Sequence, residues 1–208
     1  MKDARVPGPK VICAGYGKGG AAVDFTQHYE SPLGGITLAG DGEALTGLWF
    51  DGQAHFAETP DPAHMEKDLP VFREAMRWLD LYFSGKIPDF IPKLNLRTTP
   101  FRRTVWEILL TVPYGATVTY GEVAARAAEK MRLPRMSAQA VGGAVGHNAV
   151  ALISPCHRVV GADGSLTGYA GGVSRKAALL EMERNGLSRQ LHTGLFPSGP
   201  QNMLSGQG

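Results

Sequence analysis

Three prolines within residues 86–100, KIPDFIPKLNLRTTP, divide this chain into two differently patterned halves. Pro88, Pro92 and Pro100 each lack an amide hydrogen and disfavour helical backbone at the preceding residue, so this segment is predicted to be extended. Short apolar runs between glycine-rich turns precede the segment, and helical patterns follow it. We therefore place a domain boundary near residue 95.

The first half is predicted to be a small sheet followed by one helix. SPLGGITLAG and ALTGLWFDG, residues 31–40 and 44–52, carry spaced apolar side chains between glycine-rich turns. That pattern is typical of hairpin strands. Residues 66–84 then show apolar side chains at helical spacing, with Gly85 placed to end the helix. The apolar stripe of this helix comprises Phe72, Met76, Leu79 and Phe83.

The second half is predicted to be helical and to contain a helix-turn-helix. Thr99, followed by a proline, marks the start of one helix, and Thr119 can cap a second. A third helix, rich in small residues, begins at Ser137 after a loop longer than this motif usually has. The last helix is predicted with Ser174 as its cap and Gly186 as its stop.

The predicted fold class is α/β in the α+β sense, with a small N-terminal sheet and helix before a helical domain that carries the helix-turn-helix and an active-site cysteine. The predicted segments are a flexible arm at 1–25, a sheet-plus-helix domain at 26–94, a C-terminal domain at 95–188 and a tail at 189–208. The arm has Gly15, Gly17 and Gly20 in the order of a dinucleotide fingerprint. No convincing strand precedes them, so no nucleotide site is expected.

Composition excludes several classes of protein. The 208 residues can bury a proper core, and a formal charge of +2 fits neither a polybasic tail nor an acidic solvating segment. Two cysteines, Cys13 and Cys156, cannot build a disulfide framework. No apolar run approaches the roughly 18 residues of a membrane span, and the N-terminus lacks a signal-peptide core. We expect a soluble protein of the reducing cytoplasm, without membrane contact, metal or cofactor.

The segment ISPCHRVV, residues 153–160, places Cys156 beside His157. A free cysteine titrates near ~8.5, and a neighbouring histidine or positive field raises its thiolate fraction. Adjacency in sequence does not put the imidazole against the sulfur, so an activated nucleophile and a buried thiol both remain open here. Zinc is a third alternative. It is disfavoured because Cys13 is the only other cysteine and no C-x-x-C or H-x-x-x-H pattern exists.

Four motifs extend this picture: PYGATVTYGEVA at 113–124, AVGGAVGHN at 140–148, PCHRVV at 155–160 and GSLTGYAGG at 164–172. Together they resemble the O6-alkylguanine-DNA alkyltransferases, also called methylated-DNA–protein-cysteine methyltransferases. The resemblance is strong over residues 95–186 and looser before them. It implies a helix-turn-helix that binds double-stranded DNA through the minor groove and flips O6-alkylguanine, chiefly O6-methylguanine, into a pocket. The alkyl group then passes irreversibly to a cysteine, once per protein molecule.

The resemblance assigns the chemistry to five residues. Cys156 matches the alkyl acceptor, and His157 matches the base that takes its proton through a water. Glu183 matches the carboxylate that orients the histidine, an arrangement of nucleophile, base and orienter shared with cysteine hydrolases. Asn148 matches a hinge asparagine between recognition helix and active site. Tyr120 matches the tyrosine that helps rotate the nucleotide and offers its hydroxyl to the leaving base, with a core tyrosine as the alternative.

The resemblance also implies a set of DNA contacts. These residues are Ser137, Gln139, Ala140, Gly142, Gly143, Ala144, Arg158, Tyr169 and Ala170. A minor groove about 6 Å wide accepts a helix only when side chains are short and the groove opens. Close packing of the helix on a neighbour is the alternative reason for its small residues. Arg158 is expected to anchor structure rather than to perform chemistry. Tyr169 and Ala170 match the loop that closes over the flipped base.

The sequence departs from the family pattern at two places. Gln139 stands where an intercalating arginine is common, and it lacks the charge and planar stacking of guanidinium. We expect weaker salt dependence of DNA binding and a slower flip. Ala149 and Ala151 stand where prolines are frequent, which predicts a roomier and less rigid wall that tolerates alkyl groups larger than methyl. Glu181, two residues before Glu183, is the alternative orienting carboxylate.

Two other functions compete with repair by transfer. A relative that senses alkylated DNA and recruits other repair without accepting the alkyl group would lack Cys156, so the cysteine argues against it. A cysteine hydrolase or redox sensor would use the same thiol but leaves the helix-turn-helix without a purpose. We expect a monomer, with cooperative binding to DNA left open.

Overall fold

The computed structural model describes residues 24–57 and 64–192, with side chains to residue 188. The predicted arm, with Cys13 and its glycines, lies outside the described residues apart from the last two positions. Across the described ranges, no helix combines the length and apolar character needed to cross a bilayer. In chain order, the elements are β1 Phe25–Ser31, β2 Gly34–Gly40, β3 Leu45–Phe50, β4 Met65–Glu66, α1 Pro70–Phe83, α2 Pro100–Leu109, β5 Val118–Thr119, α3 Tyr120–Lys130, α4 Ala138–Gly146, β6 Val159–Val160 and α5 Val173–His192.

The first four strands form one sheet in the order β3-β2-β1-β4. β1 and β2 pair antiparallel, as do β2 and β3, whereas the short β4 runs parallel to β1. Ile36 and Leu38, two residues apart on β2, are completely buried, which places them on the core face of the sheet. The predicted hairpin strands are confirmed.

The single helix of the first half begins later than predicted. The apolar pattern suggested residues 66–84, but α1 starts at Pro70, which occupies the first turn, where its missing N–H costs nothing. Phe72 and Leu79 are completely buried, as the stripe predicted. Gly85 follows the end of the helix with a φ of 78°, the left-handed conformation that glycine supplies there.

Three helix caps predicted from sequence are present. The side chains of Thr99, Thr119 and Ser137 each accept a backbone N–H from three residues further on. Thr119 also forms a reciprocal capping box with Glu122. Ser137 is therefore the residue before α4, not its first helical residue. These caps fix the starts of α2, α3 and α4. Of these helices, α3 and α4 form the predicted helix-turn-helix.

The last helix is longer than predicted, because Gly186 does not end it. α5 continues to His192. A Cβ at Gly186 would lie 2.7 Å from the Tyr114 hydroxyl and 2.8 Å from the Gly85 carbonyl oxygen. Glycine is needed here because α5 closely approaches the end of α1. The predicted helix stop at Gly186 is therefore wrong.

Two further expectations at this helix change. Ser174 is the second residue of α5, so it does not cap it. The predicted tail begins at residue 189, yet residues 189–192 still belong to the helix. The rest of that tail, residues 193–208, lies outside the described residues.

The proline-rich segment is extended, as predicted, and packs on the sheet. Leu45 donates its N–H to the Lys93 carbonyl and accepts the N–H of Asn95, both at 2.8 Å. Leu94 and Leu96 are buried, and one apolar cluster runs from the sheet into the C-terminal helices. The two halves therefore share a core, and the boundary near residue 95 stays a prediction.

Candidate active site

Cys156 lies on the connection between α4 and α5, where it begins a short 3₁₀ turn and is 4% exposed. The chain bends sharply before it. Leu152 has a φ of 66°, a left-handed conformation that costs a leucine about 1–2 kcal/mol. The buried Leu152 side chain and a 2.9 Å hydrogen bond from the Ser154 N–H to the Val150 carbonyl hold this bend.

The segment leading to Cys156 is paired with the N-terminal sheet. Leu48 of β3 donates its N–H to the Ala149 carbonyl at 2.7 Å and accepts the N–H of Ala151 at 2.9 Å. Both alanines are buried. This pairing ties the wall before Cys156 to the sheet, and the roomier, less rigid wall expected from alanine in place of proline stays a prediction. Tolerance of larger alkyl groups stays a prediction.

Asn148 ties the end of α4 to the cysteine. Its side-chain nitrogen donates to the sulfur of Cys156 at 3.1 Å and to the Ser154 carbonyl at 2.7 Å. Its side-chain oxygen accepts the N–H of Val150 at 3.2 Å. Asn148 is 3% exposed, so removal of these bonds would leave buried polar groups without partners. The amide therefore fixes both the bend and the sulfur.

His157 and Glu183 form a fully buried pair beside the cysteine. Nε2 of His157 lies 2.7 Å from Oε1 of Glu183, and neither side chain is exposed. Burial lowers the pKa of His157, and the carboxylate opposes that shift. Burial alone would raise the pKa of Glu183, yet hydrogen bonds from His157 and the charge of Arg158 hold it well below its usual range.

The Glu183 carboxylate is the point where four elements meet. Arg158 donates to both of its oxygens at 2.9 Å, and the Gly115 N–H donates to Oε2 at 3.0 Å. The Tyr82 hydroxyl donates to Oε1 at 2.8 Å. Glu181 is exposed, so the structure selects Glu183 as the carboxylate that contacts the histidine.

The Cys156 thiol is protonated at neutral pH. Burial raises its pKa to about 11, although the Asn148 hydrogen bond and the charge of Lys176 act in the opposite direction. Lys176 is buried, and its ammonium group donates to the Thr167 carbonyl at 2.8 Å. A resting thiol of this kind needs a base before it can attack.

Tyr120 stands at the first position of α3 and reaches the loop at 164–172. Its hydroxyl donates to the Thr167 carbonyl at 3.0 Å, the same oxygen that Lys176 contacts. Burial raises the pKa of Tyr120, with the nearby cysteine adding to the shift, so the hydroxyl remains a donor at neutral pH. Gly168 permits this approach, because a Cβ there would lie 2.8 Å from the hydroxyl oxygen.

Tyr169 and Ala170, the other residues of this loop that were predicted to contact DNA, differ in exposure. Tyr169 is buried, with its ring centroid 6.4 Å from that of His157, while Ala170 is partly exposed. The Ala170 carbonyl accepts the N–H of Ala54, which links this loop to the N-terminal half. Among the described residues, the Tyr169 hydroxyl and Nδ1 of His157 have no hydrogen-bond partner although both atoms are buried.

Most of the predicted DNA contacts lie on one surface of α4. Ser137, Gln139, Ala140 and Gly143 are exposed and Gly142 is partly exposed. The inner face of the helix is apolar and packs against α2 and α3. A Cβ at Gly143 or Gly146 would meet nothing within 4 Å. Packing inside the described part of the protein therefore does not explain those two glycines.

Three predicted DNA contacts are buried, namely Ala144, Arg158 and Tyr169. Ala144 faces inward, and its carbonyl accepts a 2.8 Å hydrogen bond from the indole nitrogen of Trp106. Arg158 is held by Glu183 and donates to the Val112 carbonyl at 2.6 Å. The Ala144 and Arg158 side chains do not face solvent, and their contact with a duplex stays a prediction. Arg158 holds the Glu183 carboxylate in place, in agreement with its expected structural role.

Sequence reasoning missed Tyr82 and Gly115, both of which contact Glu183. Tyr82 is 101 positions from Glu183 in sequence, and no local pattern joins them. Gly115 lies within the PYG turn, where its φ of 74° explains the glycine but not its contact to a distant carboxylate. The burial of Lys176, whose charge acts on the cysteine, was likewise not predicted from the sequence.

Comparisons with known proteins agree with this geometry. Residues 25–96 match the profile described as 6-O-methylguanine DNA methyltransferase, ribonuclease-like domain. Residues 100–185 match the profile described as 6-O-methylguanine DNA methyltransferase, DNA binding domain. The two matches cover most of the chain in the order expected from its motifs.

The matches to individual relatives extend over nearly the whole length of each relative. The methylated-DNA–protein-cysteine methyltransferase of Mycobacterium tuberculosis H37Rv is 46% identical over 161 residues, which is 76% of this chain and 93% of that protein. Its counterpart from Methanosarcina acetivorans is 44% identical over 155 residues, covering 74% and 95%. The crystal structure of Mycobacterium tuberculosis OGT in complex with DNA matches with a TM-score of 0.67, 44% identity and coverage of 78% and 94%. On these matches, the chain belongs to the 6-O-methylguanine DNA methyltransferase family.

Proposed function

We propose that this protein repairs O6-alkylguanine in duplex DNA, chiefly O6-methylguanine, by taking the alkyl group onto Cys156. The observation that carries the proposal is a pair of buried contacts, Asn148 with Cys156 and His157 with Glu183, on adjacent residues of the segment that follows the exposed helix α4. Displacement at carbon needs a thiolate, a base for its proton and a donor for the leaving oxygen. The site offers one residue for each task.

In the proposed step, a sulfur–carbon bond forms as the bond between the alkyl carbon and O6 breaks. The thiol proton passes to His157, directly or through one water, and the electrons of the broken bond stay on guanine. Tyr120, a protonated donor, exchanges its hydrogen bond to the Thr167 carbonyl for one to the guanine anion, which it stabilises until the base takes a proton from solvent. Atoms and charge balance without a cofactor.

The resting protonation states, a thiol and a neutral imidazole, permit this proton transfer, and formation of the sulfur–carbon bond has to drive it because the pKa of Cys156 is raised and that of His157 is lowered. Because Nε2 of His157 lies against an ionised Glu183, Nε2 carries the proton in the neutral imidazole and Nδ1 keeps its lone pair. Nδ1 is the buried atom without a partner among the described residues. It is therefore free to take the proton of Cys156, and the imidazolium that forms is stabilised by Glu183.

The product would be a thioether at Cys156. Water does not displace the cysteine from a saturated thioether carbon at neutral pH, because the thiolate is a poor leaving group there. Each molecule should therefore act once. Saturation at one alkyl group per protein is the expected signature, and a chain that turned over repeatedly would contradict it.

We infer that α4 is the element that enters the minor groove. Apart from Gln139, its exposed positions bear small side chains, and Gly143 and Gly146 are not required by packing among the described residues. Contact with an external surface gives those glycines a purpose, since a groove about 6 Å wide excludes long side chains. Gln139, exposed near the start of α4, would fill the space left by the flipped nucleotide.

The proposal is tested by separating binding from transfer. Wild-type protein and Cys156→Ser are incubated with a duplex that carries a tritiated methyl group at one guanine O6. We expect both to bind the duplex as monomers, measured by sedimentation, and only the wild type to retain label after denaturation. Binding without label in the wild type would overturn transfer and favour a sensor. Concentration-dependent gel shifts would then report any cooperativity between monomers.

A further inference from the structure

Building on the transfer just proposed, we infer that Tyr82, from the N-terminal half, is a positioning residue that shares one oxygen of Glu183 with His157. Its hydroxyl donates to Oε1 of Glu183 at 2.8 Å and lies 3.3 Å from Nε2 of His157. Tyr82 is completely buried and belongs to α1, a helix with no other contact to this carboxylate among the described residues. The sheet-plus-helix half thus contributes directly to the geometry of the base.

The Tyr82 ring is held by other aromatic side chains, so its hydroxyl has little freedom. Trp78 stacks on it with ring centroids 5.2 Å apart, and Phe83 and Tyr114 meet it edge-on at 5.4 Å and 6.0 Å. The His157 ring lies 6.4 Å away, also edge-on. Because the phenol is held in this way, its hydroxyl is already oriented to donate a hydrogen bond to Oε1 before any substrate binds.

Three donors converge on that one oxygen: the Tyr82 hydroxyl, the His157 ring and the Arg158 guanidinium. A donor on Oε1 withdraws part of the negative charge that the imidazole would otherwise meet. Inside a buried site this effect is strong, because solvent does not screen it. Tyr82 therefore limits how tightly Glu183 draws a proton onto His157, and it keeps His157 neutral and ready to accept the thiol proton.

Several other groups face His157 and are unchanged by removal of the Tyr82 hydroxyl. They are Glu183 and Lys176 on α5, Arg158 and Cys156 on the 3₁₀ turn, and Tyr169 in the closing loop. The two cations disfavour imidazolium and the carboxylate favours it. Without the hydroxyl, more of the negative charge of the carboxylate acts on the imidazole, so the pKa of His157 should rise.

The test compares Tyr82→Phe with Tyr29→Phe. Tyr29 is a matched control, because its hydroxyl also donates to a carboxylate, that of Asp80 on α1, at 2.9 Å, but outside the site. Single-turnover transfer is measured from pH 5 to 9, and the ring nitrogens of His157 are titrated by NMR. In Tyr82→Phe, we expect the acid limb of the rate and the imidazole titration to move up by about one pH unit, a tenfold rate loss on that limb. Tyr29→Phe should leave both unchanged.

Identical midpoints in Tyr82→Phe and the wild type would overturn the inference, as would an equal shift in Tyr29→Phe. A second variant keeps the test decisive if the phenylalanine protein fails to fold. Replacement of Tyr82 by 3,5-difluorotyrosine retains the ring and strengthens the donor, so the midpoint should move down. Absence of transfer by the wild type would instead refute the proposed function, while the NMR titration would still decide the role of Tyr82.

Discussion

The side-chain amide of Asn148 donates a hydrogen bond to the sulfur of Cys156 at 3.1 Å. Asn148 lies two residues after the last residue of α4, so the helix proposed to enter DNA and the nucleophile are joined by one buried side chain. The same amide holds the Ser154 carbonyl and the Val150 N–H. Any displacement of α4 on DNA would therefore move the side chain that contacts the sulfur.

Asn148→Ala should slow alkyl transfer by about 10- to 100-fold. The amide stabilises the thiolate as it forms, and a hydrogen bond to a charged group contributes about 1.5–3 kcal/mol. Single-turnover rates at saturating duplex measure the effect. Asn95→Ala is the control, because Asn95 also donates its amide to a partner, Asp41 at 2.8 Å, but outside the site. Equal slowing of both variants would show that lost stability, and not the sulfur contact, sets the rate.

Glu183→Gln should lower the free energy of unfolding by about 3–5 kcal/mol, the usual cost of removing one partner from a buried ion pair. The loss leaves the Arg158 guanidinium buried against a neutral amide. Glu181→Gln, on the exposed face of the same helix, should change stability by less than about 0.5 kcal/mol. Urea unfolding of the two variants gives both numbers, and similar losses at both positions would refute the buried-pair account.

Stability should fall as the pH drops below the ordinary range of histidine. Burial lowers the pKa of His157, so the unfolded chain takes up a proton that the folded protein resists. This contributes a slope of at most about 1.4 kcal/mol per pH unit below about pH 6.5. Protonation of Glu183 in the unfolded chain adds a further loss only near and below its ordinary range, because its folded pKa is also lowered.

Denaturant unfolding of the wild type and His157→Asn between pH 7 and 5 measures the histidine contribution. The variant should have a shallower slope because it lacks the group that is kept neutral by folding. Parallel curves would show that His157 takes a proton as easily in the folded protein as in the unfolded chain.

Gln139→Arg should strengthen DNA binding at low salt and steepen its salt dependence. One added phosphate contact raises the slope of log K against log salt by about 0.9. Glu74→Gln changes the net charge by the same amount from an exposed position on α1, and it should leave the slope unchanged. Fluorescence titrations at several salt concentrations compare the three proteins, and a common slope would exclude an added phosphate contact from an arginine at residue 139.

Local patterns predicted the secondary structure well because caps and apolar stripes act over a few residues. Thr99, Thr119 and Ser137 cap helices through groups three residues away, as their sequence contexts indicated. Gly186 misled the same reasoning. Its role is a close contact with Gly85, which is distant in sequence, so the residue resembles a helix stop only when the chain is viewed locally.

The candidate site shows the same division. Cys156, His157 and Glu183 could be found through motif resemblance, and the structure brings the last two into contact. Tyr82 could not be found, because its position depends on how α1 packs against α5. Pairing of Leu48 with the segment before the cysteine is equally a property of the assembled fold.

The most direct test of the account is the intact mass of the protein after incubation with a duplex that carries one O6-methylguanine, followed by peptide mapping. The account predicts a gain of one methyl group on Cys156, saturating at one per molecule, with unmodified guanine left in the duplex. A protein that binds the duplex but gains no mass, or that gains it at another residue, would contradict it.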